Sequence, residues 1–307
     1  MEYNVHHISA EYDFTVSGVS YIGNPRSHTV MFVTRKVSNL LENLEGISFC
    51  LVFVEVGVSV PPSIQKDNCF VFSNVPQRDY AQFVDILYKA WFDVERKRKY
   101  IYCDGYYRGE NVQLGTNAYI EPGCVIGHDV IIGENASILS GTVIKRAVIG
   151  NNFLANEYAV IGASGFTMTE DEFGNKIRIP TLGGVYIGNY VEIGTHDNIS
   201  SGTGSDTIIE DYVKLDAFVH IGHDAHLGKN VEITAGCVVG GYAWLGNGVY
   251  TGINSCIRNR INIGQNSIIG MGATVTKNVE PNITVAGNPA KVFEKDVTTV
   301  GGNQNLG

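Results

Sequence analysis

A six-residue step constrains this chain more than any other feature. Ile209, Leu215, Ile221, Leu227, Ile233, Val239, Leu245, Thr251, Ile257, Ile263, Ile269 and Val275 stand six apart, and eleven of those twelve are aliphatic. Glycine follows at Gly222, Gly228, Gly246, Gly252, Gly264 and Gly270. The same step runs through Leu114, Ile120, Ile126, Ile132, Ile138 and Ile144, and more briefly through Ile187, Ile193 and Ile199. Helices repeat every 3.6 residues and strands every two, so neither alone produces this count. The step predicts a mainly β fold, a left-handed parallel β-helix over 101–293. Each hexad supplies one short strand and one corner, and three hexads close a turn of eighteen residues. The aliphatic residue points into a narrow prism, and the glycine leaves room where a Cβ would obstruct.

Two stretches break the count. Residues 163–186 (ASGFTMTEDEFGNKIRIPTLGGVY) read as an excursion from one corner, and 200–206 (SSGTGSD) shift the register before Ile209. Long loops on a rigid scaffold commonly carry function. Residues 1–100 lack the six-step. Their apolar runs at 48–58 and 69–73, alternating with helical patterns near 35–44 and 76–93, predict a small α/β domain that would bind nucleotide or substrate. Residues 294–307 are polar and rich in Gly and Asn, and predict a flexible tail.

A net charge of −9 without a basic cluster argues against a nucleic-acid partner. Met1 to Phe14 lack the basic-then-apolar plan of a signal peptide, and no apolar run is long enough to span a bilayer. The six cysteines have no CxxC spacing, which suits reduced, mostly buried thiols. The expectation is a cytoplasmic protein.

Chemistry concentrates in VHIGHDAHLG, with His220, His223 and His226. His223 lies two past the inward Ile221, so it projects beside a corner. Eighteen residues further stands Gly241, one rung away, with no side chain to obstruct a ligand. Imidazole takes a proton near neutral pH, and an exposed backbone N–H polarises a carbonyl. Together these are a general base and an oxyanion donor for acyl transfer. The competing reading is a surface histidine in a turn and a glycine that merely makes a corner.

The repeats and the closing AGNPAKVF (Ala286–Phe293) resemble the bacterial hexapeptide-repeat acyltransferases over about 101–293. Residues 245–279 are similar to the coils of the nucleotide-amino-sugar N-acetyltransferases. That resemblance implies His223 as base, Asp224 as its orienter and the Gly241 amide on the acyl carbonyl. Glu232 stands where some members place a second histidine. VIGASGF followed by KIRIPTLGGVYIG, after an N-terminal α/β region, resembles instead the UDP-3-O-acylglucosamine N-acyltransferases of lipid A synthesis. Segment 69–87 also resembles the end of their uridine-binding domain. Here Met31 and Val37 take the places of uracil-stacking aromatics, and Arg260 that of a histidine beyond the base.

The first resemblance implies a short acyl-CoA, acetyl-CoA foremost, as co-substrate. Gly287, Asn288, Pro289 and Lys291 would contact its adenine end and pantetheine, with Arg258 and Arg260 as further cations. Alternatively, each cation is a solvated surface group. The resemblance further implies a nucleotide-linked amino sugar as acceptor and a homotrimer with sites between coils. Two alternatives remain, an acyl-carrier-protein donor of the lipid A type and a non-catalytic scaffold coil. A zinc lyase of carbonic-anhydrase type using His196, His220, His223 and His226 is a minor one, and the leading reading carries no metal.

Overall fold

The computed structural model describes residues 2–293, so the tail expected at 294–307 lies outside the described residues. From Tyr106 onward the chain winds into a three-sided left-handed parallel β-helix, and each step residue is the inward member of a short strand. Ile221, Leu227 and Ile233 close the strands His220–Ile221, His226–Leu227 and Glu232–Ile233, and all three are buried. The residue before each points outward. His220–Ile221 pairs in parallel with Val238–Val239, which pairs with Cys256–Ile257 and then Thr274–Val275. We number the faces by one rung: the first holds His220–Ile221, the second His226–Leu227 and the third Lys214–Leu215. Thr251, the one polar step residue, is fully buried and bonds its hydroxyl to Cys237 Sγ at 3.5 Å.

The corner glycines serve close stacking rather than unusual dihedrals. A Cβ on Gly222 would stand 2.5 Å from the Gly241 nitrogen, and one on Gly246 would stand 2.7 Å from the Gln265 nitrogen. The left-handed backbone positions fall two residues later, on Asp224, Asn230, Tyr242 and Asn254, with φ between 57° and 60°. Short polar side chains suit such positions best.

The N-terminal part is a parallel sheet of Gly18–Val19, Thr29–Val33, Leu51–Glu55 and Cys69–Ser73, in that order. The helix Pro76–Glu95 begins with proline at its first turn and lays Tyr80, Phe83, Val84 and Leu87 on the sheet. That spacing is one helical face. The helix expected at 35–44 is instead two 3₁₀ pieces, kinked at Val37. Arg35 is pinned outside the second piece, its N–H donating to Glu55 and its guanidinium to the Val56 carbonyl.

The excursion does not hang in solvent. Met168–Glu170 and Lys176–Arg178 form an antiparallel hairpin. Ile177, Ile179 and Leu182 join the apolar cluster beneath the helix, so the hairpin ties the N-terminal part to the coil.

The inward and outward members of one strand make opposite predictions. Ile233→Ala should cost about 2–5 kcal/mol, because it opens a cavity that a narrow prism cannot collapse. Glu232→Ala, next to it and facing solvent, should stay within about 0.5 kcal/mol. Urea midpoints of the two variants would check this, and equal midpoints would contradict the inward assignment.

Candidate functional site

Every large irregularity of the coil leaves from one corner, between the first and second faces. The excursion runs from Ile161 on the first face to Val185 on the second. One rung later 201–206 bulge out between Ser200 and Thr207. The next rungs place His223, then Gly241, then Arg258 to Arg260 at the same corner.

His223 is held from two sides, with its side chain 16% exposed. Its Nδ1 lies 2.7 Å from Asp224 Oδ2. A carboxylate only accepts, so the neutral imidazole carries its proton on Nδ1 and its lone pair on Nε2. Thr167 of the excursion donates its hydroxyl to that Nε2 at 3.1 Å.

Asp224 has no exposed side-chain surface, yet its charge is well met. The bulge wraps the carboxylate. Thr203 N–H donates to Oδ2 at 2.7 Å, while Gly204 N–H and Ser205 N–H donate to Oδ1 at 2.9 and 2.5 Å. The Ser205 hydroxyl adds a fourth bond at 3.0 Å. Such a set satisfies a buried carboxylate and fixes it in place.

Gly241 lies directly against the imidazole. A Cβ there would stand 2.7 Å from Nε2. The chain turns on at once, with Tyr242 N–H donating to the His223 carbonyl at 2.9 Å. The Gly241 N–H has no acceptor among the described residues. The Tyr242 ring stands edge-on to the imidazole at 5.2 Å, and the Arg260 guanidinium covers the ring at 4.3 Å. Burial first, and the charge of Asp224 second, hold the Tyr242 phenol well above its ordinary pKa. Tyr21 of the N-terminal part packs on that ring at 5.5 Å.

The remaining expected residues spread out. Arg258 shares the corner two rungs beyond His223. Gly287 to Lys291 form the turn between Thr284–Ala286 and Lys291–Val292, on the third face at the end of the coil. His220 faces outward from the first face, and burial followed by His223 lowers its pKa, leaving it uncharged at neutral pH. His226 faces outward from the second face and bonds Glu210 at 2.7 Å. His196 stacks between Tyr158 and Phe218 at another corner. Among the described residues no group of His, Cys, Asp and Glu is placed to hold a metal ion. Met31 is fully buried in the N-terminal sheet, so it presents no face to a base.

Reading the sequence missed Thr167, the 203–205 cradle, Tyr242 and Tyr21. A signal existed for the cradle, since a run of small polar residues precedes the His–Asp pair by one lengthened rung. It also missed a second Ile-Gly-His-Asp at Ile126–Asp129 on the same corner. There the pair is dismantled. His128 Nδ1 accepts the Glu110 N–H at 2.8 Å, and Arg98 binds Asp129 and holds its carboxyl below the usual range.

The coil matches the model of the bacterial transferase hexapeptide (six repeats) at residues 111–146 and 206–241. A UDP-3-O-acylglucosamine N-acyltransferase of Coxiella burnetii is 34% identical over 200 residues, covering 58% of this chain and 58% of that protein. The protein of that name from Herminiimonas arsenicoxydans is 37% identical over 157 residues, covering 48% of this chain and 44% of its own. The chain thus spans about half the length of the curated relatives it matches. Among solved structures, the UDP-N-acetylglucosamine acyltransferase of Francisella novicida aligns at 27% identity and a TM-score of 0.56, covering 62% of this chain and 68% of that one. The Campylobacter jejuni enzyme of that name aligns at 26% and 0.55, covering 62% and 73%. In repeat, fold and sequence, this chain is similar to the bacterial hexapeptide-repeat acyltransferases.

Proposed function

We propose that the chain is an N-acyltransferase that moves a short acyl group, acetyl foremost, from acyl-CoA to the amino group of a nucleotide-linked amino sugar. The observation that carries this reading is the packing of Gly241 against His223 Nε2, with Asp224 holding the opposite nitrogen. Nε2 takes a proton from the amine as its nitrogen forms a bond to the thioester carbonyl carbon. The carbonyl oxygen becomes an oxyanion beside the free Gly241 N–H. Its collapse breaks the carbon–sulfur bond, and the imidazolium returns the proton to the leaving thiolate. The products are an amide and a thiol. Asp224 fixes the tautomer and stabilises the imidazolium without itself changing protonation.

Arg258 on the same corner supports a phosphorylated donor, and the turn at Gly287, Asn288, Pro289 and Lys291 would receive its far end. A second reading has an acyl carrier protein deliver the acyl group. It is favoured by the name of the curated relatives and by the α/β region ahead of the coil, and its acceptor would be a UDP-linked 3-O-acylglucosamine. A homotrimer is supported by the outward residues Ile131, Val148, Tyr186 and Trp244 on the second face, which are 38–50% exposed. No helix among the described residues is long and apolar enough to cross a membrane.

Calorimetric titration with acetyl-CoA and with CoA separates the two donors. Micromolar binding supports the CoA reading; no binding moves the proposal to a carrier protein or to an inert coil. His223→Ala should lower turnover by about 10²–10⁴-fold while leaving CoA affinity near its original value. Survival of activity within a few-fold would remove His223 as the base.

Gly241→Ala offers a complementary test. The added methyl meets the imidazole itself, so kcat should fall at least ten-fold, by displacement of a group worth several kcal/mol. A Gly241→Ala protein with full activity would show that nothing reacts beside Nε2.

A further inference from the structure

Resting on that reading, the excursion holds a group in the place the acceptor needs. A neutral imidazole has one lone pair in its ring plane, and here Nε2 spends it on the Thr167 hydroxyl at 3.1 Å. An acceptor amine must bond to the same lone pair before it can lose its proton. We propose that Thr167 is an internal competitor of the acceptor, a hydroxyl that stands in for the amine until substrate arrives and then rotates off Nε2.

The surroundings make this a built contact. Gly165 presses the excursion backbone onto the corner, for a Cβ there would stand 2.9 Å from both His223 Cβ and Thr203 Oγ1. Gly165 N–H donates to Thr181 Oγ1 at 3.1 Å, and the Gly165 carbonyl accepts from Arg178 at 3.1 Å. Arg146 in turn donates to the Thr181 carbonyl at 2.7 Å. Ile179 anchors the far strand in the apolar cluster with 1% exposure.

With its backbone braced in this way, Thr167 leaves Nε2 by rotation about its own Cα–Cβ bond, with no loop opening. Thr203 Oγ1 lies 3.3 Å from Thr167 Oγ1 in the same rotamer and helps hold it there. Displacement therefore costs the hydrogen bond to Nε2. Thr167 acts through His223 and belongs to acceptor binding, so its effect falls on KM for the acceptor.

Three variants and one spectrum test this. Thr167→Ala empties the place and should lower the acceptor KM roughly three- to ten-fold, the weight of one neutral hydrogen bond, with kcat within about two-fold. Thr167→Ser keeps the hydroxyl and should match the original protein. Thr167→Val keeps the shape and loses the hydrogen bond, and should lower KM in the same direction as Ala. In the protein without ligands, the ¹⁵N shift of His223 Nε2 should move toward the value of an unbonded nitrogen in Thr167→Ala and stay put in Thr167→Ser. Ala and Val shifting KM in opposite directions, a fall in kcat at constant KM, or an unmoved nitrogen shift would each overturn the inference. If the unaltered protein transfers no acyl group at all, the proposed function fails. The occupancy of Nε2 by Thr167 is then decided by the nitrogen shift alone.

Discussion

Everything in this molecule depends on keeping a three-sided prism dry and narrow. The inward step residues are branched and buried, and successive rungs bond through their backbones about 4.8 Å apart. At that spacing the corner residues of adjacent rungs touch, which is why a Cβ on Gly222 or Gly246 has nowhere to go. A rung cannot absorb extra residues along a face without turning the aliphatic side chains out. Insertions can leave only at corners.

The excursion and the bulge both use the same corner, in consecutive rungs, and His223 follows in the next. Each insertion supplies what a bare coil lacks. The bulge provides backbone N–H groups in a tight arc, so a buried carboxylate is satisfied and fixed in place. The excursion provides a wall and a hydroxyl on the far side of the imidazole. The coil contributes what the insertions cannot, a rigid register that sets Gly241 against Nε2.

The N-terminal part takes hold of this arrangement at two places. Tyr21 packs on Tyr242, which braces the imidazole, and the hairpin of the excursion is rooted in the cluster under the helix Pro76–Glu95. The sheet and helix thus act as a buttress for that corner of the coil. Of this region the sequence betrayed the strands near 51–55 and 69–73 and the long helix. The strand Thr29–Val33 went unread, and the helical pattern at 35–44 is wound as 3₁₀ rather than α, with a break at Val37. Its apolar spacing signals a helix but not the pitch, and the bonds of Arg35 to Glu55 and Val56 that hold its start are tertiary.

The six-step needs only local chemistry, an aliphatic side chain and then a small residue, so the coil and the rung neighbours of His223 were legible in the bare sequence. Adding eighteen to 223 reached Gly241 because an uninterrupted rung has constant length. What the sequence could not decide is which His–Asp pair stays intact. Ile-Gly-His-Asp is written twice on one corner, in identical letters. At Ile221–Asp224 the bulge claims the carboxylate with three N–H groups and leaves it facing the imidazole. At Ile126–Asp129, Arg98 from beyond the long helix draws the carboxylate away, and the imidazole turns to the Glu110 N–H instead. The partners that separate an intact His–Asp pair from a dismantled one lie on other segments, and only the folded chain brings them to the corner.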